Sequence, residues 1–186
     1  KPEVRRLAEK FGLKVAEKKD SQEICFAPED YPAFITRQAG NRIEKSGEIV
    51  DLNGKVLGTH SGLYKYTIGQ RKGIGVTIGE PLFVLKIDSE KNRLVVGPEE
   101  GLFSMSLRAK EANWIGIPEP SSEIEAIAKI RYRHKGAEAV VVPLEKNKVE
   151  VRFKKPEKSV TPGQAVVFYK EDEVIGGAWI EQAVKG

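Results

Sequence analysis

The sequence predicts a mainly β protein with a few short helices, in which a small α+β domain precedes an antiparallel β-barrel. Helical periodicity is confined to the first forty or so residues, and short runs of alternating apolar and polar residues begin at Gly47. The chain has 186 residues, 40% of them hydrophobic, which suffices for one ordinary domain or two small ones. We place two domains at residues 1–82 and 83–186, with the boundary near Pro81, where a glycine-rich stretch ends.

Two helices and one short strand are predicted before Gly47. Residues 2–11 have apolar side chains at helical spacing, with a proline in the first turn and Gly12 at the end. The stretch EICF, residues 23–26, predicts a strand. A second helix is predicted from Pro28 to Gly40, because acidic residues follow the proline and favour the helix dipole.

Paired strands are predicted along the rest of the chain. Asn53-Gly54 lies between two apolar runs, which indicates a hairpin. Three further hairpins are predicted: one in LFVLKIDSEKNRLVVG, one in GQAVVFYKEDEVIGGAWI, and one in AVVVPLEKNKVEVRF with Val149, Val151 and Phe153 facing inward. In SEIEAIAKIRYRHKG the alternation places on one face Ile124, Ala126, Ala128, Ile130 and Tyr132. Strands spaced this evenly, with charged turns, predict a small antiparallel barrel over about the last hundred residues.

Composition excludes several classes of protein. A single cysteine, Cys25, cannot form an internal disulfide, so we expect a reducing, cytoplasmic compartment. With only His60 and His134 besides, no metal site is expected. No apolar run approaches the ~18 residues of a membrane-spanning helix, and the charged N-terminus does not resemble a signal peptide. We therefore expect a protein that does not bind membranes. A monomer is expected as well.

Positive charge is concentrated in two windows without acidic residues, although the net charge is only +4. The windows are residues 52–79 and 126–137. Local positive fields of this kind attract polyanions, whereas the alternative is an ordinary solvated face of lysines. The cations of the two windows are Lys55, Lys65, Arg71, Lys72, Lys129, Arg131, Arg133 and Lys135.

Four motifs in order resemble the tRNA-specific 2-thiouridylases, which put sulfur on the wobble uridine of certain tRNAs: DSQEICF, GLYKYTIGQRKGIG, RYRHKG and VTPGQAVVFY…GGAWI. The resemblance runs from Val4 to Ile180. Members of that family are longer and begin with a PP-loop ATP-binding domain that carries a first catalytic cysteine. The resemblance implies an ATP-dependent transferase of tRNA processing, a sulfur-relay donor protein as partner, and a barrel similar to one in elongation factors. It also implies that these 186 residues are inactive by themselves and bind no ATP.

Cys25 has two interpretations. By residue type alone it is a small buried hydrophobe, although strand alternation would point it away from Ile24 and Phe26. The resemblance implies instead that Cys25 is the second catalytic cysteine of the family. Its thiolate would carry a persulfide and would end in a disulfide with the first cysteine.

The resemblance also implies tRNA contact for Arg131, Tyr132 and Gln164. Alternation places Arg131 and Arg133 on the outer face of one strand as phosphate contacts, but it places Tyr132 in the core. Gln164 otherwise follows a Pro-Gly turn, and His134 is expected at the surface.

The glycine-rich window KYTIGQRKGIG has three interpretations. Its N–H groups, with Lys65, Arg71 and Lys72, would meet RNA phosphates; it would pack beside Cys25; or it is simply a turn between strands. Two other functions stay open at this point. One is a stand-alone, non-catalytic RNA-binding barrel, and the other is a module that docks a partner protein.

Overall fold

The computed structural model describes residues 2–13, 37–38 and 46–184, in two compact units that comprise residues 1–43 and 44–186. In the first unit, helix α1 spans Pro2–Lys10. Gly12 follows it with φ +63°, and its N–H donates to the carbonyl of Glu9 at 2.9 Å. The predicted first helix and its glycine stop are therefore confirmed. The predicted strand at residues 23–26 and most of the predicted second helix lie outside the described residues.

The second unit begins with a four-stranded sheet in the order β2-β1-β4-β3. Strand β1 is antiparallel to β2 and parallel to β4, and β4 is antiparallel to β3. The sheet joins strands from both sides of residue 82, so the domain boundary predicted there falls between β2 and β3 of one sheet. The strands are β1 Gly47–Val50, β2 Val56–His60, β3 Phe83–Asp88 and β4 Arg93–Gly97.

The β1–β2 hairpin is closed by the side chain of Asp51. One carboxylate oxygen accepts hydrogen bonds from the N–H groups of Asn53 and Lys55, each at 2.8 Å. Gly54 has φ +83°, a conformation that glycine adopts without strain. The hairpin predicted from Asn53-Gly54 is confirmed.

Residues 103–184 form a closed antiparallel barrel in the order β10-β5-β8-β7-β6-β9, as predicted. The long strand β5 was not predicted, and it closes the barrel between β10 and β8. Its sequence, FSMSLRAKEANW, contains no valine, isoleucine or threonine, so it gives a weak strand signal. The strands are β5 Phe103–Trp114, β6 Ile124–Lys129, β7 Ala137–Leu144, β8 Lys148–Lys158, β9 Ala165–Lys170 and β10 Glu173–Val184.

The barrel interior is filled by the alternate residues of each strand. Val149, Val151 and Phe153 point inward from β8, as predicted, and Phe168 stacks on Trp114 with ring centroids 5.7 Å apart. Two 3₁₀ turns, Leu63–Lys65 and Glu99–Leu102, complete the unit.

Candidate nucleic-acid interface

The residues RYRH form a tight turn that follows β6, and this corrects the predicted strand. Strand β6 ends at Lys129, Ile130 is the last inward residue, and the N–H of His134 donates to the carbonyl of Arg131 at 3.0 Å. Tyr132, expected in the core by alternation, is 95% exposed at this turn. A period-two pattern holds only while the backbone stays extended, so it fails once the chain turns. Arg131 and Arg133 are exposed, but on this turn rather than on the predicted strand.

Both ends of the turn are bound to the end of β8. The guanidinium of Arg131 donates to the backbone carbonyl of Lys158 at 3.0 Å. Nε2 of His134 lies 2.9 Å from a carboxylate oxygen of Glu157, and because a carboxylate only accepts, Nε2 carries the donated hydrogen. The His134 side chain is only 9% exposed, which corrects its expected surface position.

Gln164 lies in a second exposed turn, directly before β9. Its N–H donates to the carbonyl of Thr161 at 3.3 Å, and its own carbonyl accepts from the N–H of Ile180 at 2.8 Å. The register pairs Lys129 of β6 with Val167 of β9. The end of β6 and the beginning of β9 are therefore neighbours, so the turns that contain Arg131 and Gln164 lie at one end of the barrel.

The glycine-rich window is a loop that is hydrogen-bonded to β3. The N–H of Gly69 donates to the carbonyl of Val84, and the N–H of Val84 donates to the carbonyl of Gln70, at 2.8 and 2.9 Å. The Gln70 side chain accepts from the N–H of Thr67 at 3.0 Å and donates to the carbonyl of Lys72 at 2.8 Å. Gln70 thus fixes the conformation of the backbone on both sides of itself.

The three predicted cations of this loop are all exposed, and they differ in their contacts. The ammonium of Lys65 donates to Ser61 at 3.1 Å and lies 5.6 Å from the ring centroid of Tyr64. Arg71 borders a cavity of about 290 Å³, which the loop residues up to Leu82 surround. Within the described residues, Arg71 and Lys72 form no ion pair, so both remain available to an anion.

Residues 157–161, which we call the connecting segment, bring the two basic windows together. Ser159 lies against Gly69, since a β-carbon on Gly69 would be 2.7 Å from the Ser159 hydroxyl oxygen. The preceding residue, Lys158, accepts the hydrogen bond from Arg131. Arg131 and Arg71, which are distant in sequence, are thus linked through Lys158, Ser159 and Gly69.

The connecting segment is also fixed to the sheet side. Lys158 forms an ion pair with Glu99, and its ammonium lies 5.6 Å from the ring centroid of Phe83. The N–H of Ser159 donates to the carbonyl of Leu102 at 2.9 Å. These contacts hold the segment on elements that precede the barrel in sequence.

Three further lysines near the turn differ from one another in their contacts. Lys129 is half-buried with its ammonium 4.4 Å from the ring centroid of Tyr169, so it is engaged within the barrel. Hydrogen bonds to Glu125 and, as a smaller contribution, to Glu138 raise the pKa of Lys154. Both carboxylates form ion pairs with its ammonium group. Lys155 was not among the predicted phosphate contacts. It is exposed and has no ion pair in the part of the chain described here. The basic run KKPEK was its only sequence signal.

Other kinds of site find little support in the described residues. Among residues 2–13, 37–38 and 46–184, no group of three His, Cys, Asp or Glu side chains is placed to hold a metal ion. Within the same ranges, no helix is long and apolar enough to span a membrane. The predicted catalytic residue Cys25 lies outside the described residues.

Comparison with known proteins places the chain in a family. Three family models match it in succession: a tRNA methyl transferase HUP domain at residues 1–29, a tRNA methyl transferase PRC-barrel domain at 33–98, and an aminomethyltransferase beta-barrel domain at 104–180. The second of these ranges contains the whole four-stranded sheet, and the third covers most of the closed barrel.

Curated relatives match along nearly the whole chain. A tRNA-specific 2-thiouridylase MnmA of Geotalea uraniireducens is 55% identical over 185 residues, which are 99% of this chain and 49% of the relative. Proteins of the same name from Geobacter metallireducens and Chlorobium phaeobacteroides are each 51% identical over 187 residues, which are 99% of this chain and 50% and 52% of the relatives. The chain spans about half the length of these relatives. Along the residues it contains, the chain belongs to the tRNA-specific 2-thiouridylase family.

Proposed function

We propose that this chain supplies the tRNA-binding surface and the persulfide-carrying cysteine of an ATP-dependent tRNA sulfurtransferase that 2-thiolates the wobble uridine. The observation that carries the proposal is the 55% identity, over 99% of the chain, to a protein named tRNA-specific 2-thiouridylase. The exposed basic and aromatic turn, which is linked to the glycine-rich loop through the connecting segment, supports the RNA-binding part of the proposal.

In this proposal Cys25 is the sulfur carrier. Its thiolate attacks the outer sulfur of a persulfide on a donor protein, the donor thiolate leaves, and Cys25 becomes a persulfide. The terminal sulfur then attacks C2 of the uridine, from which the activated oxygen leaves. A second cysteine thiolate of the whole protein attacks Sγ of Cys25, which frees the thiolated uridine and leaves a disulfide. The alternative release of the sulfur as hydrosulfide by that second cysteine leaves the same disulfide.

ATP would supply the activation of the uridine oxygen by adenylation. The described residues do not fit a triphosphate: the glycine-rich loop lacks the GxxxxGK[ST] order in which a lysine and a hydroxyl follow the glycines. We therefore assign ATP binding to the whole protein and give this chain no step with ATP. The HUP-domain match at residues 1–29 is consistent with such a site in longer relatives.

The tRNA surface would combine phosphate contacts with one aromatic contact. Guanidinium and ammonium groups neutralise phosphates, and an exposed tyrosine ring stacks on an unpaired base. Gln164 would donate or accept one hydrogen bond at the edge of this surface. The phosphate-contacting residues in the proposal are Lys65, Arg71, Lys72, Arg131 and Arg133. The proposal places the protein in the cytoplasm as a monomer, with tRNA and a sulfur-donor protein as partners.

A salt series with purified chain and labelled tRNA tests the RNA-binding part. If five cations each neutralise one phosphate, the logarithm of the affinity should fall against the logarithm of salt with a slope of about −4.5. Replacing Arg133 with Ala should make the slope shallower by about 0.9. Lys170→Ala is the matched control, because Lys170 is an exposed cation at the other end of β9 and should leave the slope unchanged. A slope near zero for the unaltered chain would contradict tRNA binding.

A further inference from the structure

The turn Arg131–His134 is held at both of its ends by hydrogen bonds to the end of β8. Arg131 at the first position is bound to the carbonyl of Lys158, and His134 at the last is bound to the carboxylate of Glu157. Tyr132 and Arg133 between them are exposed. The orientation of these two side chains therefore depends on the connection between the turn and β8.

The two clamps differ in their environment. The His134 side chain is 9% exposed and that of Glu157 is 21% exposed, so this bond is shielded from water. Arg131, in contrast, is exposed. Polar bonds in shielded surroundings are stronger and more directional than exposed ones, so the His134–Glu157 bond is the firmer of the two clamps.

The imidazole of His134 is not explained by packing alone. Nδ1 is buried and has no hydrogen-bond partner among the described residues, which is a cost that an apolar side chain of similar size would avoid. What the imidazole adds, in return, is the single bond from Nε2 to Glu157. That bond ties the turn to the connecting segment, which the sheet side holds through Glu99 and Leu102.

We propose that His134 and Glu157 are positioning residues that hold the turn in the orientation in which Tyr132 and Arg133 meet RNA; the inference rests on the proposed tRNA-binding function. The negative charge of Glu157 makes this positioning role testable. A carboxylate beside an RNA-binding turn repels phosphates, so by charge alone the removal of Glu157 should strengthen binding. By positioning, the same removal should weaken it.

Three substitutions on β8 separate these effects. Glu157→Ala removes both the charge and the acceptor, whereas Glu157→Gln removes the charge but keeps an oxygen that accepts from His134. Glu150→Ala is the matched control, because it removes a carboxylate of the same strand that pairs with Arg152 and Arg108 instead of with the turn. We expect Glu157→Ala to weaken tRNA binding by about two- to tenfold, the loss that follows from one additional side chain to be ordered on binding. Glu157→Gln and Glu150→Ala should bind at least as tightly as the unaltered chain.

A second measurement shows whether the effect passes through the turn. In a Tyr132→Ala background, where one of the positioned side chains is gone, Glu157→Ala should cost less affinity than it does in the unaltered chain. Hydrogen exchange of the amides at residues 131–136 should accelerate in Glu157→Ala and not in Glu157→Gln. Should Glu157→Ala fail to fold, His134→Asn loosens the same bond and takes its place.

The outcomes distinguish the positioning role of His134 and Glu157 from the proposed tRNA-binding function. Equal binding by Glu157→Ala and Glu150→Ala, with unchanged exchange in the turn, would overturn the positioning role. An unaltered chain that binds no tRNA would overturn the proposed function, and the exchange measurement would still decide whether Glu157 orders the turn.

Discussion

Gly69 lies so close to Ser159 that a β-carbon at residue 69 would be 2.7 Å from the serine hydroxyl oxygen. Gly69 belongs to the glycine-rich loop and Ser159 to the connecting segment at the end of β8. This approach links the glycine-rich loop to the segment whose Lys158 carbonyl accepts the hydrogen bond from Arg131. Gly69 has φ +87°, a backbone conformation that glycine adopts without strain.

Gly69→Ala should therefore destabilise the chain for two reasons, a steric one and a conformational one. Non-glycine residues held in sparsely populated backbone conformations cost about 1–3 kcal/mol, and the contact with Ser159 adds to this. Gly54→Ala is the matched control, because Gly54 has φ +83° and a β-carbon there would meet nothing within 4 Å. Denaturant unfolding should show a greater loss for Gly69→Ala; equal losses would mean that the contact with Ser159 relaxes freely.

Ile130→Ala and Arg131→Ala should separate stability from RNA binding at adjacent positions. Ile130 is 2% exposed in the barrel core, so its truncation should lower the free energy of unfolding by roughly 2–5 kcal/mol. Arg131→Ala loses the hydrogen bond to Lys158, about 0.5–1.5 kcal/mol, and should make the salt slope of tRNA binding shallower by about 0.9. If Arg131→Ala unfolds the barrel and leaves the slope unchanged, Arg131 is purely structural.

Tyr132→Ala should weaken tRNA binding without affecting the fold. The side chain is 95% exposed, so the free energy of unfolding should change by no more than about 0.5 kcal/mol. Loss of one aromatic stacking contact should cost about 1–3 kcal/mol of binding energy. Tyr132→Phe keeps the ring and should bind like the unaltered chain. A Phe variant as weak as the Ala variant would point to the hydroxyl group rather than to stacking.

Cys25→Ser in the whole protein should abolish 2-thiouridine formation over repeated turnovers, because a hydroxyl cannot carry a persulfide. The tRNA affinity of the variant should be unchanged, since the proposed RNA contacts lie in the loops and turns of the sheet and barrel. Mass spectrometry of nucleosides from the reacted tRNA measures the product. Thiouridine at the unaltered level would return Cys25 to the interpretation of a small buried hydrophobe.

Asp88 should make the stability of the sheet depend on pH. The hydrogen bond from the N–H of Lys91 lowers the pKa of the Asp88 carboxyl, with a smaller contribution from the charge of Lys86. A lowered pKa in the folded state stabilises the fold above the ordinary aspartate value of about 3.9. That stabilisation is lost as the pH falls through the folded-state pKa. The midpoint temperature of thermal unfolding should therefore be lower for Asp88→Asn than for the unaltered chain at about pH 7. The two midpoints should converge in acid.

How much of the candidate site the sequence could predict depends on the kind of residue. The exposure of Arg131, Arg133 and Arg71 followed from charge alone, since isolated cations stay in water. The exposure of Tyr132 could not be predicted from the alternation, because that pattern was extended beyond the end of β6 at Lys129, where the chain turns. The partner of His134 could not be predicted either, since Glu157 lies 23 residues away on another strand.

The sequence by itself determined the local architecture: the helix before Gly12, the hairpins around Gly54 and the later polar turns, and the inward residues of β6 and β8. These follow from periodicity and turn chemistry, which act between residues near in sequence. Only the tertiary structure decided that β5 closes the barrel, that one sheet crosses residue 82, and that residues 157–161 join the two basic windows. The physical reason is that strand pairing and close approaches such as Gly69 to Ser159 are made between distant residues, whose pairing no local pattern specifies.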